Sequence, residues 1–146
     1  MEAALQLAEK LRQCLPAILS GEPVRLAYLH GSAPAGRATP FSDVDVALVA
    51  GEEIEPDRRL QLMLRVQLAL ADRCGIGNAD VRVIDDAPLV LRGRVVTEGV
   101  PVYVRHEAER IEFEVRTRLL YFDYLPTHRD MQERFFRRIR ERGLYG

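Results

Sequence analysis

The residues of this sequence best suited to chemistry are Gly31-Ser32 and, ten residues further on, Asp43-Val44-Asp45. Residues i and i+2 of a strand point to one face. Asp43 and Asp45 therefore project side by side, while Val44 and Val46 turn to the other side and pack. Two adjacent carboxylates on a mostly apolar strand are costly to bury without a partner. A divalent cation resolves that cost, because Mg²⁺ takes oxygen ligands, keeps several waters and is held by one or two carboxylates together with substrate phosphates. Gly31 permits close backbone approach, and Ser32 offers a hydroxyl and an N–H to phosphate oxygens. Asp80 opens a later strand and, at the same sheet edge, adds a third carboxylate. Two metal ions roughly 3.5–4 Å apart then clamp the attacking and leaving oxygens of an in-line displacement.

The surrounding pattern supplies elements to position these groups. Ala4, Ala8, Leu11, Leu15 and Ile18, with Leu7 alongside, predict a first helix that stops at Ser20-Gly21-Glu22-Pro23. A strand over 24–29 is apolar on both faces, hence central, and runs into His30-Gly31-Ser32. A second strand covers 43–49. Pro56, with Glu55 and Asp57 beside it, starts a helix whose Leu60, Met63, Leu64, Gln67, Leu68 and Ala71 recur at helical period, with Gly75 as the stop. A third strand covers 80–84, a short helix 88–98, and a fourth strand 100–104, placed at an edge by Pro101. From Glu107 the pattern is helical with a break near Pro126. Ile111, Val115, Leu119, Phe122 and Leu125 form one stripe, and Met131, Phe135 and Ile139 form another. The expected fold is α/β (α+β): a mixed sheet with helices packed on one face and a C-terminal helical extension. One domain spans 1–146, with a core of 1–105 and a helical tail of 106–146.

Composition narrows the class. At 146 residues the chain has room for one core, and 47% hydrophobic residues exclude disorder. A net charge of −1 argues against a general nucleic-acid binder, so no direct nucleic-acid partner is expected. No apolar run reaches the roughly 20 residues of a membrane span. Glu2, Glu9, Lys10 and Arg12 break any leader-like apolar stretch, so a cytoplasmic protein is expected. Cys14 and Cys74 imply neither zinc nor a disulfide framework, and read as two small apolar residues in a reduced protein.

The signature GSAPAGRATPFSDVD resembles that of the minimal nucleotidyltransferases of the polymerase-β-like superfamily. Within it, the chain is similar to the MntA antitoxins that pair with HepT toxins. The likeness extends through the leading helix, the DVDVALV and DVRVID strands and the LRGRVVTEGVPVYVR segment. It implies a nucleotidyltransferase-like fold and a two-metal transfer of AMP from MgATP to a tyrosine of a HepT-type RNase toxin, in a hetero-oligomer. It also implies that Asp43 and Asp45 hold both Mg²⁺ ions, that Asp80 is the third ligand and the base for the acceptor hydroxyl, and that Gly31 and Ser32 hold the triphosphate. Ala35 stands where family members often carry Arg, and Arg37 follows two places later as the candidate for that contact. Two other functions remain open: transfer to a small-molecule hydroxyl of antibiotic type, and an antitoxin that acts by binding alone.

Other residues compete for roles. Arg82 shares a face with Asp80 and either touches phosphate or pairs with the carboxylates. Asp85 faces away from Asp80, and Asp86 reads as a cap for the following helix. His30 reads as a packed or hydrogen-bonded residue. His106 and His128 show no ligand spacing, and Tyr103, Tyr121 and Tyr124 read as packing residues. Arg134, Arg137, Arg138, Arg140 and Arg142 make the tail a solvated basic face or a docking surface.

Overall fold

The computed structural model describes residues 2–31 and 43–142. The order is α1 (Glu2–Leu19), β1 (Leu26–His30), β2 (Val44–Val49), α2 (Pro56–Cys74), β3 (Ala79–Val83), α3 (Leu89–Glu98), β4 (Val100–Val104) and α4 (Glu107–Arg142). The four strands form one sheet in the order β3-β2-β1-β4. β1 pairs antiparallel with β2 and β4, and β2 pairs parallel with β3. The sheet is therefore mixed, as expected, with Pro101 on an edge strand. At the opposite edge, the Val81 N–H donates to Gln67 Oε1 at 3.2 Å, so a side chain of α2 occupies a donor that no strand pairs.

Helices cover both faces of the sheet, where the sequence pointed to one. Alternation explains this, since β1 and β2 are apolar on both sides. Ala27, Leu29, Val44, Val46 and Leu48 pack with Leu11 and Leu15 of α1 and with Leu62, Val66 and Leu70 of α2. Leu26, Tyr28, Ala47 and Val49 pack on the other side with Val95 of α3, against which Leu91 and Phe113 rest.

The inward ladder of α2 is Leu62, Val66, Leu70 and Cys74, whereas Leu60, Leu64 and Leu68 of the stripe read from the sequence are exposed. Both ladders are apolar at four-residue spacing, so periodicity alone does not choose between them. Cys14 and Cys74 lie on the facing sides of α1 and α2 with Cα atoms 6.3 Å apart, and form a disulfide. This corrects the reading of two unpaired apolar cysteines. Sixty residues separate them, so only the helix packing brings them together.

α4 continues through Pro126 where a break was expected. Its packed face is not the stripe of Ile111, Val115, Leu119 and Phe122, all of which are exposed, but the face carrying Glu114 and Thr117. The Tyr28 hydroxyl donates to Glu114 Oε2 at 2.8 Å, and Arg110 donates to Glu114 Oε1 at 3.1 Å. Arg118 lies 3.5 Å from the same oxygen. A buried carboxylate is tolerated there because it is both paired and hydrogen-bonded. Burial, then the hydrogen bond to Glu114 and its charge, push the Tyr28 hydroxyl far above its ordinary pKa. Tyr121 of α4 lies against Gly93 of α3, where a Cβ would overlap its ring.

Candidate active site

Three strand termini meet at one edge of the sheet. β1 ends at His30, antiparallel β2 begins beside it, and β3, parallel to β2, begins on the far side. In register, His30 faces Asp45 and Asp45 faces Asp80. Cross-strand partners share a face, so His30, Asp45 and Asp80 form a row across β1, β2 and β3. Their face is that of Tyr28 and Ala47, the side covered by α3 and α4. Asp43 lies exposed, immediately before β2.

Charge and burial set the character of the row. Asp45 is partly buried, and desolvation holds its carboxyl above the ordinary carboxylate value. His30 pulls it back, and the neighbouring Asp80 and Asp43 charges push it further up. Burial lowers the His30 pKa, opposed by the attraction of Asp45 and Asp80. Arg82, two residues along β3 from Asp80, approaches its Oδ2 with Nε at 3.3 Å. Of the two readings of Arg82, the structure shows carboxylate pairing.

Gly31 completes the edge. Its φ of +82° belongs to the left-handed region that side chains avoid, and a Cβ built there would collide with Asp45 Oδ2. The glycine thus supplies a turn after β1 and also the room in which the Asp45 carboxylate lies. Ser32 and the connection through Ser42, including Ala35 and Arg37, lie outside the described residues.

Asp85 and Asp86 belong to the other end of the sheet. Asp85 accepts the Ala50 and Gly51 N–H groups at 2.8 and 2.7 Å, fastening the turn between β2 and α2. Asp86 does not cap α3, whose cap position is Pro88. It accepts from Arg59 of α2 at 2.7 Å instead. Among the described residues, no three His, Cys, Asp or Glu side chains stand together as a metal-binding group. The site nevertheless suits a hard divalent cation in its donors. Asp43, Asp45 and Asp80 offer oxygen only, on adjacent strand starts, and one exposed guanidinium is the only ion-pair partner recorded for them among the described residues.

The chain is a mixed-sheet α+β domain in which the strand starts bring Asp45 and Asp80 together beside a glycine turn. The comparisons give the family. A family model described as "Polymerase beta, Nucleotidyltransferase" matches residues 13–108, and the chain belongs to that family. No curated protein matches the sequence. Among solved structures, a chain of the toxin–antitoxin complex with AMP-PNP aligns with a TM-score of 0.68 and 22% identity, over 86% of this chain and 98% of that one. A chain of the tri-AMPylated Shewanella oneidensis HEPN toxin in complex with MNT antitoxin aligns with a TM-score of 0.65 and 20% identity, over 88% and 98%. A chain of the toxin–antitoxin MntA–HepT aligns with 0.64 and 20%, over 86% and 97%. These likenesses establish a shared fold. No described helix is long and apolar enough to cross a membrane.

Proposed function

We propose that this chain is a protein adenylyltransferase antitoxin, cytoplasmic, which transfers AMP from MgATP to a tyrosine of a cognate HepT-type RNase toxin. The observation that carries the reading is the pairing of Asp45 with Asp80 across adjacent strands, beside Asp43 and Gly31, in a chain of the nucleotidyltransferase family. The two neighbouring structures that hold AMP-PNP and a tri-AMPylated HEPN toxin support the choice of nucleotide and acceptor.

Asp43, Asp45 and Asp80 would hold the magnesium ions. When bound, the metal supplies charge neutralisation for the triphosphate and the leaving group. The chain's own groups do the rest. Gly31 and Ser32 hold the triphosphate. The acceptor tyrosine oxygen attacks the α-phosphorus and the bond to the β-phosphate oxygen breaks. AMP is joined to the tyrosine, pyrophosphate leaves, and the phenolic proton passes to the Asp80 carboxylate. The added phosphate neutralises the toxin by bulk and negative charge at its nuclease site.

The test is to incubate the chain with ATP, Mg²⁺ and the product of the neighbouring gene. The expected result is that product with AMP added, located to tyrosine by fragmentation. No adduct from a folded pair overturns the reading. A second reading, neutralisation by binding alone, draws on the exposed Met131, Phe135 and Phe136 among the arginines of α4. It predicts that the chain with both Asp43→Asn and Asp45→Asn still neutralises the toxin.

A further inference from the structure

We propose that Arg82 is the resident counter-ion of Asp80, a placeholder that a divalent cation must displace, so that Arg82 weakens metal binding and sets the cation concentration the site requires. The inference rests on the metal-dependent reading of Asp43, Asp45 and Asp80.

Asp80 and Arg82 stand two apart on β3 and therefore on one face, and the guanidinium Nε lies 3.3 Å from Asp80 Oδ2. Asp80 is the only ion-pair partner recorded for Arg82 among the described residues. The same positive charge acts on Asp45 and His30, the other members of the row. The guanidinium neutralises the Asp80 carboxylate from its Oδ2 side, and a cation approaching that carboxylate meets like charge.

Exposure decides the size of the effect. The Arg82 side chain is 68% exposed and that of Asp80 36%, so the pair is open to solvent and easily exchanged. Exposed pairs of this kind are worth a factor of roughly two to five in an equilibrium constant. Arg82 therefore does not exclude the metal. It shifts the affinity by about that factor, and once displaced leaves Asp80 to the cation.

A residue that merely held Asp80 in position for the metal would act with the opposite sign, which makes the test decisive. Free Mn²⁺ is titrated by electron paramagnetic resonance into the full chain without nucleotide, for the wild type, Arg82→Gln and Arg82→Lys. Arg73→Gln, an exposed arginine at the end of α2, controls for net charge alone. The expected result is Mn²⁺ binding about two- to fivefold tighter in Arg82→Gln, an intermediate affinity in Arg82→Lys, and no change in Arg73→Gln. Binding that is unchanged or weaker in Arg82→Gln overturns the proposal, as does an equal gain in Arg73→Gln. If neither the wild type nor Arg82→Gln binds Mn²⁺, the metal reading itself fails and this inference with it. Far-ultraviolet circular dichroism and the melting temperature of each variant show that the chain is folded.

Discussion

Asp45 and Asp80 are register partners in the parallel pairing of β2 with β3, and on its other side Asp45 faces His30 of β1. Asp45 is thus the middle group of the row and feels each of the other charges.

Replacing either partner should remove chemistry without unfolding the chain. Asp45→Asn and Asp80→Asn are expected to lower AMP transfer by about 10³-fold or more, the scale of losing a ligand to a charge-stabilising metal. EDTA should have the same effect on the wild type. Asp85→Ala should leave transfer within about threefold but cost roughly 1–3 kcal/mol in chemical denaturation, because the Ala50 and Gly51 N–H groups lose their acceptor. A large loss of transfer in Asp85→Ala would move the third carboxylate.

The raised pKa of Asp45 gives a signed pH dependence. The folded chain holds this proton more tightly than the unfolded chain, so ionising Asp45 disfavours folding. The cost is absent below the ordinary carboxylate value of 3.8 and complete above the raised one. In EDTA, Asp45→Asn should therefore melt higher than the wild type at about pH 8 and level with it at about pH 3.5. An equal difference at both pH values would show that the charge is not the cause.

Two glycines separate backbone strain from space. Gly21 has φ +79° with nothing within 4 Å of a built Cβ, whereas at Gly31, with φ +82°, the Cβ meets Asp45. Gly21→Ala and Gly31→Ala should each lose about 1–2 kcal/mol of stability from the left-handed backbone. Only Gly31→Ala should also weaken Mn²⁺ binding and transfer. Equal metal affinity in the two variants would deny Gly31 its role in making room for the carboxylate.

Tyr28→Phe removes the hydroxyl that donates to the buried Glu114. Because Glu114 keeps Arg110 and Arg118, the expected loss is about 1.5–2 kcal/mol, the lower part of the range for a hydrogen bond to a charged group. Metal affinity should not change. A variant as stable as the wild type would mean that this hydrogen bond does not hold α4 on the sheet.

Strand alternation told which way Asp45 faces along β2, but it did not place His30 in the row, because a lone histidine at a strand end carries no ligand spacing. The register that aligns Asp45 with Asp80 depends on the parallel crossover through α2, which no local pattern encodes. Arg82 was placed on the correct face, but its choice of Asp80 needed the geometry. The helices were less readable. α2 carries two leucine-rich ladders, and only the sheet selects Leu62, Val66 and Leu70. In α4 the apolar stripe faces outward and the inward face holds Glu114, because Tyr28, Arg110 and Arg118 neutralise a group that a hydropathy pattern assigns to solvent. The predicted phosphate contact at Ser32 lies outside the described residues.

The amide of Val81, already engaged by Gln67, bears on how this chain behaves in company. A bare sheet margin is a template onto which another extended peptide can zip, and self-association commonly begins there. By capping one rung of that margin from an overlying helix, the chain removes one of the donors that a strand adding alongside β3 would use.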